Sequence, residues 1–386
     1  MTFSPSDPLL PAPLPRWWGP TPPDRVVASI ERTRRLDDVQ HVAVMPDVHL
    51  AHGVCVGTVF ATARRLYPGA VGGDLGCGMA ALGFDADAEV LAPGAVGRDV
   101  LMRLSRVVPI QRHAAPLPVA WGGRRRLGNP RLDRVLHGEA LHQLGTLGGG
   151  NHFLELQRDT ADNRLWLMVH SGSRGLGQAV SRHHLTRCAG RSRGLHVLDA
   201  ASPAGQAFWR DLRVARAWAR LNRWWMVQAV VWLLRDRLGV EPLPGTFVQC
   251  DHNHIRREWH VGLGGLNQWY IHRKGAAPAH AGRRGLIPGS MGTPSYHVVG
   301  RGHAGALCSS AHGAGRAMSR SEARRVVSTG GLRRAIAGVH VNPKQLSRLR
   351  EEAPQAYKGI GKVMRYQREL VRVERELEPV LSYKGG

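Results

Sequence analysis

The spacing of apolar residues changes several times along the chain, and each change marks an element. Between residues 40 and 80, short β-branched runs at 41–45 and 54–61 are broken by glycine and proline, which predicts strands joined by functional loops. The continuous apolar run at 165–169 predicts a buried strand. Residues 99–105 read as a short helix, and 132–144 as a helix running into Gly148, Gly149 and Gly150. Residues 207–238 form a long helical stretch in which Leu221, Trp225, Ala229 and Trp232 recur at helical spacing and so mark the expected buried face. Residues 246–318 return to short strands and glycine-rich loops. Asn342 followed by Pro343 is an N-cap signal that opens the expected C-terminal helices.

Two segments fall outside this pattern. Residues 1–24 carry Pro5, Pro8, Pro11, Pro13, Pro15, Pro20, Pro22 and Pro23, and predict an extended or poorly ordered arm. Residues 124–126 are three arginines between glycines, an expected exposed basic loop. No internal repeat and no linker divides the remainder. The reading is one α+β domain over residues 25–386, of mixed sheets and helices, with its loops converging on one central cleft.

Composition adds a charge argument. Hydrophobic residues make up 43% and charged residues 21%, as in a soluble globular protein, but Lys+Arg is 53 against 29 Asp+Glu. A net charge of +24 attracts phosphate polyanions. Only five of the basic residues are lysines (Lys274, Lys344, Lys358, Lys362 and Lys384), so part of the excess reflects a preference for arginine, and the surviving lysines gain interest. The five cysteines are odd in number and form no Cys-x-x-Cys pair, which speaks for a reducing compartment. No signal-like N-terminus and no membrane-length apolar run is present, so a cytoplasmic protein is expected.

Five segments set ligand-type residues beside glycine. They are Gly72-Gly73-Asp74-Leu75-Gly76-Cys77-Gly78, Gly148-Gly149-Gly150-Asn151-His152-Phe153-Leu154-Glu155, His170-Ser171-Gly172-Ser173-Arg174-Gly175, Asp251-His252-Asn253, and Ser309-Ser310-Ala311-His312-Gly313-Ala314-Gly315-Arg316. Each alone is weak. Together they offer oxygen, sulfur and nitrogen donors of the kind that hold a first-row divalent ion in a site assembled from distant loops. Pro288-Gly289-Ser290-Met291-Gly292-Thr293 and the 312–315 loop are small-residue turns whose amides suit anionic oxygens. Neither a Walker loop nor a Lys-x-Asp-Gly nucleophile motif occurs, which leaves histidine as the candidate for covalent phosphate activation. His183, His184, His280, His297 and His303 sit among arginines and glycines and read as surface, RNA-contacting or supporting residues.

In this order, and together with Met45-Pro46-Asp47-Val48-His49-Leu50, His272-Arg273-Lys274-Gly275-Ala276, Met318-Ser319-Arg320, Ala353-Pro354-Gln355-Ala356-Tyr357-Lys358 and Lys384-Gly385, these segments resemble the RtcB family of RNA ligases over residues 40–386. The chain departs from the family pattern at Leu50-Ala51-His52-Gly53, where Leu-Gly-x-Gly is usual, and before residue 40. The resemblance implies a central cleft that binds metal and nucleotide. Asp74, Cys77 and His152 would hold one Mn²⁺, and Cys77, His170 and His252 a second. His312 would be the nucleophile that takes guanylate from GTP. Guanylate contacts would come from Asn151, His152, Phe153, Leu154, Glu155, His252, Asn253, Pro288, Gly289, Ser290, Met291, Ser295, His312, Gly313, Ala314, Gly315 and Lys384. Arg174, Arg316 and Arg320 would contact RNA phosphates, and Asp47 and His49 would support the metal shell.

The implied function is GTP- and Mn²⁺-dependent joining of RNA 3′-phosphate or 2′,3′-cyclic phosphate ends to 5′-hydroxyl ends, in RNA repair or tRNA splicing. The implied enzyme is a monomer that leaves room for an archease-type helper. A metal-dependent phosphoesterase that opens cyclic phosphates without sealing is the alternative, and a non-catalytic RNA-binding module is a third class. The presence of both His312 and Lys384 disfavours the phosphoesterase.

Overall fold

The computed structural model describes residues 13–92, 94–118, 126–262 and 265–385. Two large sheets dominate an α+β fold. A five-stranded sheet runs, in spatial order, Arg16–Trp17, Val39–His49, Val56–Thr62, Gly265–Lys274, Asn253–Gly262. A seven-stranded sheet runs Pro242–Asp251, Gly78–Asp87, Arg164–Ser171, Phe153–Asp159, Val371–Lys384, Ser295–Gly300, Arg284–Ile287. The chain passes from the second sheet to the first at a single residue, His252, between Asp251 and Asn253. Among the described residues no helix is long and apolar enough to cross a membrane.

Side-chain alternation in the seven-stranded sheet decides what faces the cleft. Ala80, Leu82, Leu154, Leu156, Leu165, Leu167 and Val169 pack against the long helix Pro203–Leu238 and the helix Gly94–Val107. Their sequence neighbours Met79, Ala81, Phe153, Trp166 and Met168 form a second cluster on the opposite face. The strand at 165–169 is therefore buried on both sides, which is why it reads as an unbroken apolar run. Continuing the alternation, His170 falls on the Met168 face and Glu155 on the Phe153 face, toward the cleft. A one-residue slip would turn both toward the helix.

The long helix is as the sequence predicts in extent, with the Ser202 hydroxyl accepting from the Gly205 amide at one end and Gly239 at φ 64° closing the other. Its buried face is not the tryptophan stripe. Trp232 is 54% exposed, and Leu221, Trp225 and Ala229 are only partly buried, whereas Phe208, Leu212, Ala215, Trp218, Ala219, Met226, Val227 and Val230 are fully buried. Both stripes have helical period; the deciding difference is that the buried one carries Asn222 and Arg223. The Asn222 amide donates to the carbonyls of Thr146 (3.2 Å) and Gly172 (3.2 Å) and to Ser171 Oγ (3.0 Å), and its oxygen accepts from the Thr146 amide. Arg223 donates to the carbonyls of Gly76 and Ser171, each at 2.8 Å. Polar residues in a tryptophan-rich helix look like its wet side, and here they bind the loops that the helix carries.

Other expectations are revised. The helix at 132–144 is two, Pro130–His137 and Glu139–Gln143, broken at Gly138. Asn342 does cap, accepting from the Lys344 amide, but the helices after it are short, Leu346–Leu349 and Ile360–Tyr366, and the last described element is the strand Val371–Lys384. Arg16 and Trp17 pair in parallel with Ala43 and Val44, so this part of the proline-rich segment is a sheet edge. Residues 1–12, and 124–125 of the basic loop, lie outside the described residues, while Arg126 is exposed. His184 and His297 are core residues, His184 bonding Asp211 at 2.8 Å.

Asn222→Leu should lower the unfolding free energy by about 2–4 kcal/mol, because it leaves several buried loop groups without partners. Trp232→Ser should change it by less than about 0.5 kcal/mol. Urea denaturation of the two variants checks which face of the helix carries the fold.

Candidate functional site

A cleft of about 1080 Å³ opens between the two sheets. One wall is built at the ends of the seven-stranded sheet. Cys77 Sγ lies 3.2 Å from His170 Nε2 and 3.5 Å from His152 Nε2, and His152 Nε2 lies 2.9 Å from Asp74 Oδ2. The His170 and His252 rings are 5.1 Å apart, and the His252 and His312 rings 4.6 Å. Asp74, Cys77, His152, His170 and His252, spread over 178 positions of sequence, thus converge as expected. Tight backbone packing makes this work: a Cβ on Gly172 would sit 2.1 Å from Asp74 Oδ1.

The donor set fits a divalent cation on its own chemistry. His152 Nδ1 faces the Leu147 carbonyl at 2.9 Å and His170 Nδ1 the Asn151 carbonyl at 3.2 Å. A carbonyl can only accept, so each Nδ1 carries the hydrogen and each Nε2 presents a lone pair toward Cys77. His152 Nε2 then meets the Asp74 carboxylate lone pair to lone pair, a contact that is attractive only with a cation between or a second proton on the ring. Burial first, then neighbouring imidazoles, holds His170 and His252 well below the usual histidine range, in the neutral form that ligates. Burial, then the charge of Asp74, pushes the Cys77 thiol well up, so it keeps its proton until a metal displaces it. Cys77, His152 and His170 have ligand atoms all within 4.8 Å of one another.

The other wall carries His312. Its Nδ1 donates to Asp47 Oδ2 at 2.7 Å, and its backbone amide faces the same oxygen at 3.2 Å. Asp47 is fully buried, and Gly315 packs so closely that a Cβ there would lie 2.3 Å from the Asp47 carbonyl oxygen. This revises the expected role of Asp47: its carboxylate orients the histidine opposite the metal donors. His49, its Nδ1 on the Asp47 carbonyl, stands on the same side.

Four of the chain's five lysines line this cleft: Lys274, Lys358, Lys362 and Lys384. Lys358 donates to the carbonyls of Pro46 (3.1 Å) and Val48 (2.5 Å), on either side of Asp47. Lys274 donates to the carbonyls of His52 and Val54, each at 2.7 Å. Lys384 lies over the Phe153 ring at 5.6 Å and donates to Glu352 Oε2 at 3.3 Å. Near the chain end, this lysine is 5% exposed, because strand pairing sets it opposite Phe153.

Glu352 was not legible in the sequence; only its place next to the Ala353-Pro354 turn hinted at it. It gathers Lys384, Arg316 (3.1 Å), Arg320 (3.4 Å) and the Tyr357 hydroxyl. Burial works against its charge, but Lys384, Tyr357 and Arg316 outweigh burial and hold the carboxyl below its usual range.

Not every expected residue reaches the cleft. Asn151, Phe153, Glu155, His252, Asn253, Pro288, Gly289, Ser290, Met291, Gly313, Ala314, Gly315, Arg316, Arg320 and Lys384 line it. Leu154 is turned into the helix-packed core. Ser295 is buried behind the 288–291 loop, its hydroxyl accepting from Gln157 at 3.1 Å. The amides of Ser290 and Thr293 are bonded within their own loop, so that turn offers fewer free N–H groups than its composition suggests. Arg174, at φ 55°, is engaged with Thr146 Oγ1 and the Ile110 carbonyl.

Comparison with known proteins identifies the family. The family model described as tRNA-splicing ligase RtcB matches residues 29–140 and 125–385. The chain belongs to the RtcB family. It is similar to the RNA-splicing ligase RtcB of Escherichia coli (strain K12), 36% identical over 378 residues that cover 90% of each chain. The RNA-splicing ligase RtcB of Mycobacterium tuberculosis is 31% identical over 419 residues, 88% of this chain and 96% of that one. The tRNA-splicing ligase RtcB of Nanoarchaeum equitans is 28% identical over 435 residues, 90% and 88%.

Cys77→Ser should lose divalent-metal binding while remaining folded, since a hydroxyl is a harder donor that stays protonated; metal analysis after gel filtration, with circular dichroism as control, measures it. A second expectation concerns Glu155, which burial pushes up to about 7 against the opposing charge of Lys384. The folded state then holds a proton that the unfolded chain releases near its ordinary 4.5, so stability falls as pH rises from 4.5 through 7. Glu155→Gln should remove that fall and be the more stable form above pH 7, as read from urea midpoints across the range.

Proposed function

We propose that this RtcB-family protein is a GTP- and Mn²⁺-dependent RNA ligase that joins an RNA 3′-phosphate, or a 2′,3′-cyclic phosphate opened to it, to a 5′-hydroxyl end through guanylate carried on His312. The observation that supports this most is the His312–Asp47 pair facing the Cys77 cluster across a single imidazole, His252. Asp74, Cys77 and His152 would hold one ion and Cys77, His170 and His252 the other, supplying charge neutralisation at the phosphates.

The chain's own part follows from proton positions. With Nδ1–H donated to Asp47, the His312 Nε2 lone pair is the nucleophile. As the Nε2–P bond to the GTP α-phosphorus forms and pyrophosphate leaves, the ring gains positive charge, which the buried Asp47 carboxylate stabilises without moving. A 3′-phosphate oxygen of RNA then attacks the guanylyl phosphorus, the P–N bond breaks, and His312 is regenerated. The 5′-hydroxyl attacks the activated 3′-phosphorus, and GMP leaves. Asn151, Phe153, Glu155, Asn253, the 288–291 loop and Lys384 would hold the guanylate. Arg320, paired with Glu351 and Glu352 but with its side chain 44% exposed, is the RNA-phosphate contact of choice, because Arg316 is only 14% exposed and Arg174 is held by Thr146 and the Ile110 carbonyl. A phosphoesterase that forms no guanylate adduct would not require His312 and Lys384 together.

Incubation with GTP and Mn²⁺ without RNA should add one GMP to the peptide containing His312, in an acid-labile bond. Asp47→Asn should keep metal binding and slow the adduct by roughly a hundredfold or more, because an amide neither fixes the tautomer nor offsets the charge. Peptide mass spectrometry reads both; an adduct on Lys274 or Lys384 would exclude the mechanism.

A further inference from the structure

The tryptophan stripe of the long helix Pro203–Leu238 has no role in the core or in the cleft. It borders a second cavity, of about 520 Å³, between that helix, the helix Gly94–Val107 and the segment that follows it. Trp225 and Trp232 stand edge to face in its wall, their ring centres 6.1 Å apart at 64°. Trp232 is 54% exposed, so a planar ring can be laid against it. Trp225 Nε1 and His113 Nε2, on residues that line the cavity, are buried without a hydrogen-bond partner. A buried polar group left unpaired is costly, so the cavity suits a ligand with a flat face and polar edges. Charge narrows the ligand further. Arg103, Arg106 and Asp236 are the charged residues of the lining. Arg103 pairs with Asp99 at 2.9 Å. Arg106 and Asp236 are both exposed, and neither has an ion-pair partner among the described residues. The cavity also lies close to the metal-ligand loops. His113 is three residues from Ile110, a span of at most about 10 Å, and the Ile110 carbonyl accepts from the Gly148 amide at 2.9 Å. Gly145, also in the lining, is two residues from Leu147, whose carbonyl accepts from His152 Nδ1 at 2.9 Å.

We propose that this cavity is a second RNA site, where one unpaired base of the substrate stacks on Trp232 and its phosphate meets Arg106, anchoring a strand whose end lies in the cleft. A nucleotide matches each feature of the cavity. Its base offers a flat face to the indole, edge atoms to Trp225 and His113, and amino groups to the Asp236 carboxylate, which can only accept. Its phosphate offers Arg106 the anion that no acidic side chain supplies. Single strands fit and duplexes do not, because only an unpaired base is free to splay out onto a side chain. The inference rests on the reading of the chain as an RNA ligase and adds to it a place where RNA is held away from the reacting ends. It also gives a reason for the large aromatic surface that the helix leaves in water, which packing alone does not explain.

The test is fluorescence anisotropy of a labelled, mixed-sequence single-stranded RNA of about 20 nucleotides with a 3′-hydroxyl end, titrated with the full chain in the absence of GTP and metal. Trp232→Ser should weaken binding about tenfold, and Trp232→Phe should recover most of the loss, since stacking needs an aromatic face and not the indole nitrogen. Arg106→Gln should weaken binding and reduce the salt slope by about 0.7, the share of one phosphate. A duplex of the same sequence should bind Trp232→Ser and the unmodified chain alike. None of these readings depends on guanylylation, so the His312 adduct and this site are tested apart. Equal affinity of Trp232→Ser and the unmodified chain for the single strand would overturn the site and leave the ligase reading standing. An equal loss for the duplex would overturn it as well. Quenching of protein fluorescence by AMP alone that is lost in Trp232→Ser would assign the cavity to a free mononucleotide, and a dimer in gel filtration that Trp232→Ser dissolves would assign it to a second copy; either result overturns the proposal. Failure of the unmodified chain to bind both RNAs would count against the ligase reading itself and remove the site with it.

Discussion

Two adjacent polar side chains on one helix hold together the half of the cleft that carries Cys77, His152 and His170. Asn222 and Arg223 reach from the long helix Pro203–Leu238 to Gly76, Thr146, Ser171 and Gly172, each within a few residues of Cys77, His152 or His170. Gly76, Thr146 and Gly172 lie outside the strands and Ser171 ends one, and their carbonyls and amides would be costly to bury unbonded. The helix supplies the missing partners from a face that packs the apolar side of the seven-stranded sheet. Core packing and ligand placement are therefore one constraint.

The half of the cleft that carries His312 is held by a different device. Lysine ammonium groups, each a compact point charge with three donors, bond pairs of backbone carbonyls on the strand and loop around Asp47. His312 is fixed through Asp47, and Lys384 through Glu352 and Phe153. His252, the single residue between the adjoining strands Pro242–Asp251 and Asn253–Gly262 of the two sheets, links the two halves.

Much of this was legible from residues alone. The buried strand at 165–169, the extent of the long helix, the glycine-flanked ligand segments and the informative lysines all follow from local pattern, and ordered motifs pointed to the family. What failed did so for identifiable reasons. The tryptophan stripe and the true buried face share one helical period, and periodicity cannot say which of two apolar stripes meets the sheet. Gly138 breaks a helix whose pattern continues through it. The C-terminal strand pairs across more than 200 positions with Phe153–Asp159, so no local signal announced it. Asp47 was placed with the metals because it shares a motif with His49, and Glu352 was missed because its partners lie on other segments.

The sequence by itself determined the chemical inventory: which donors exist, which glycines permit close approach, and which nucleophile classes are absent. Those depend on residue type and near neighbours, which a linear chain states outright. Only the tertiary structure decided the pairings: Asp47 with His312 and not with a metal ligand, Leu154 into the core beside two cleft residues, and Arg174 and Arg316 bound to protein groups. Each depends on register and on groups distant in sequence, where one residue of slip along a strand reverses a side chain's direction, and neither composition nor spacing records which slip is taken.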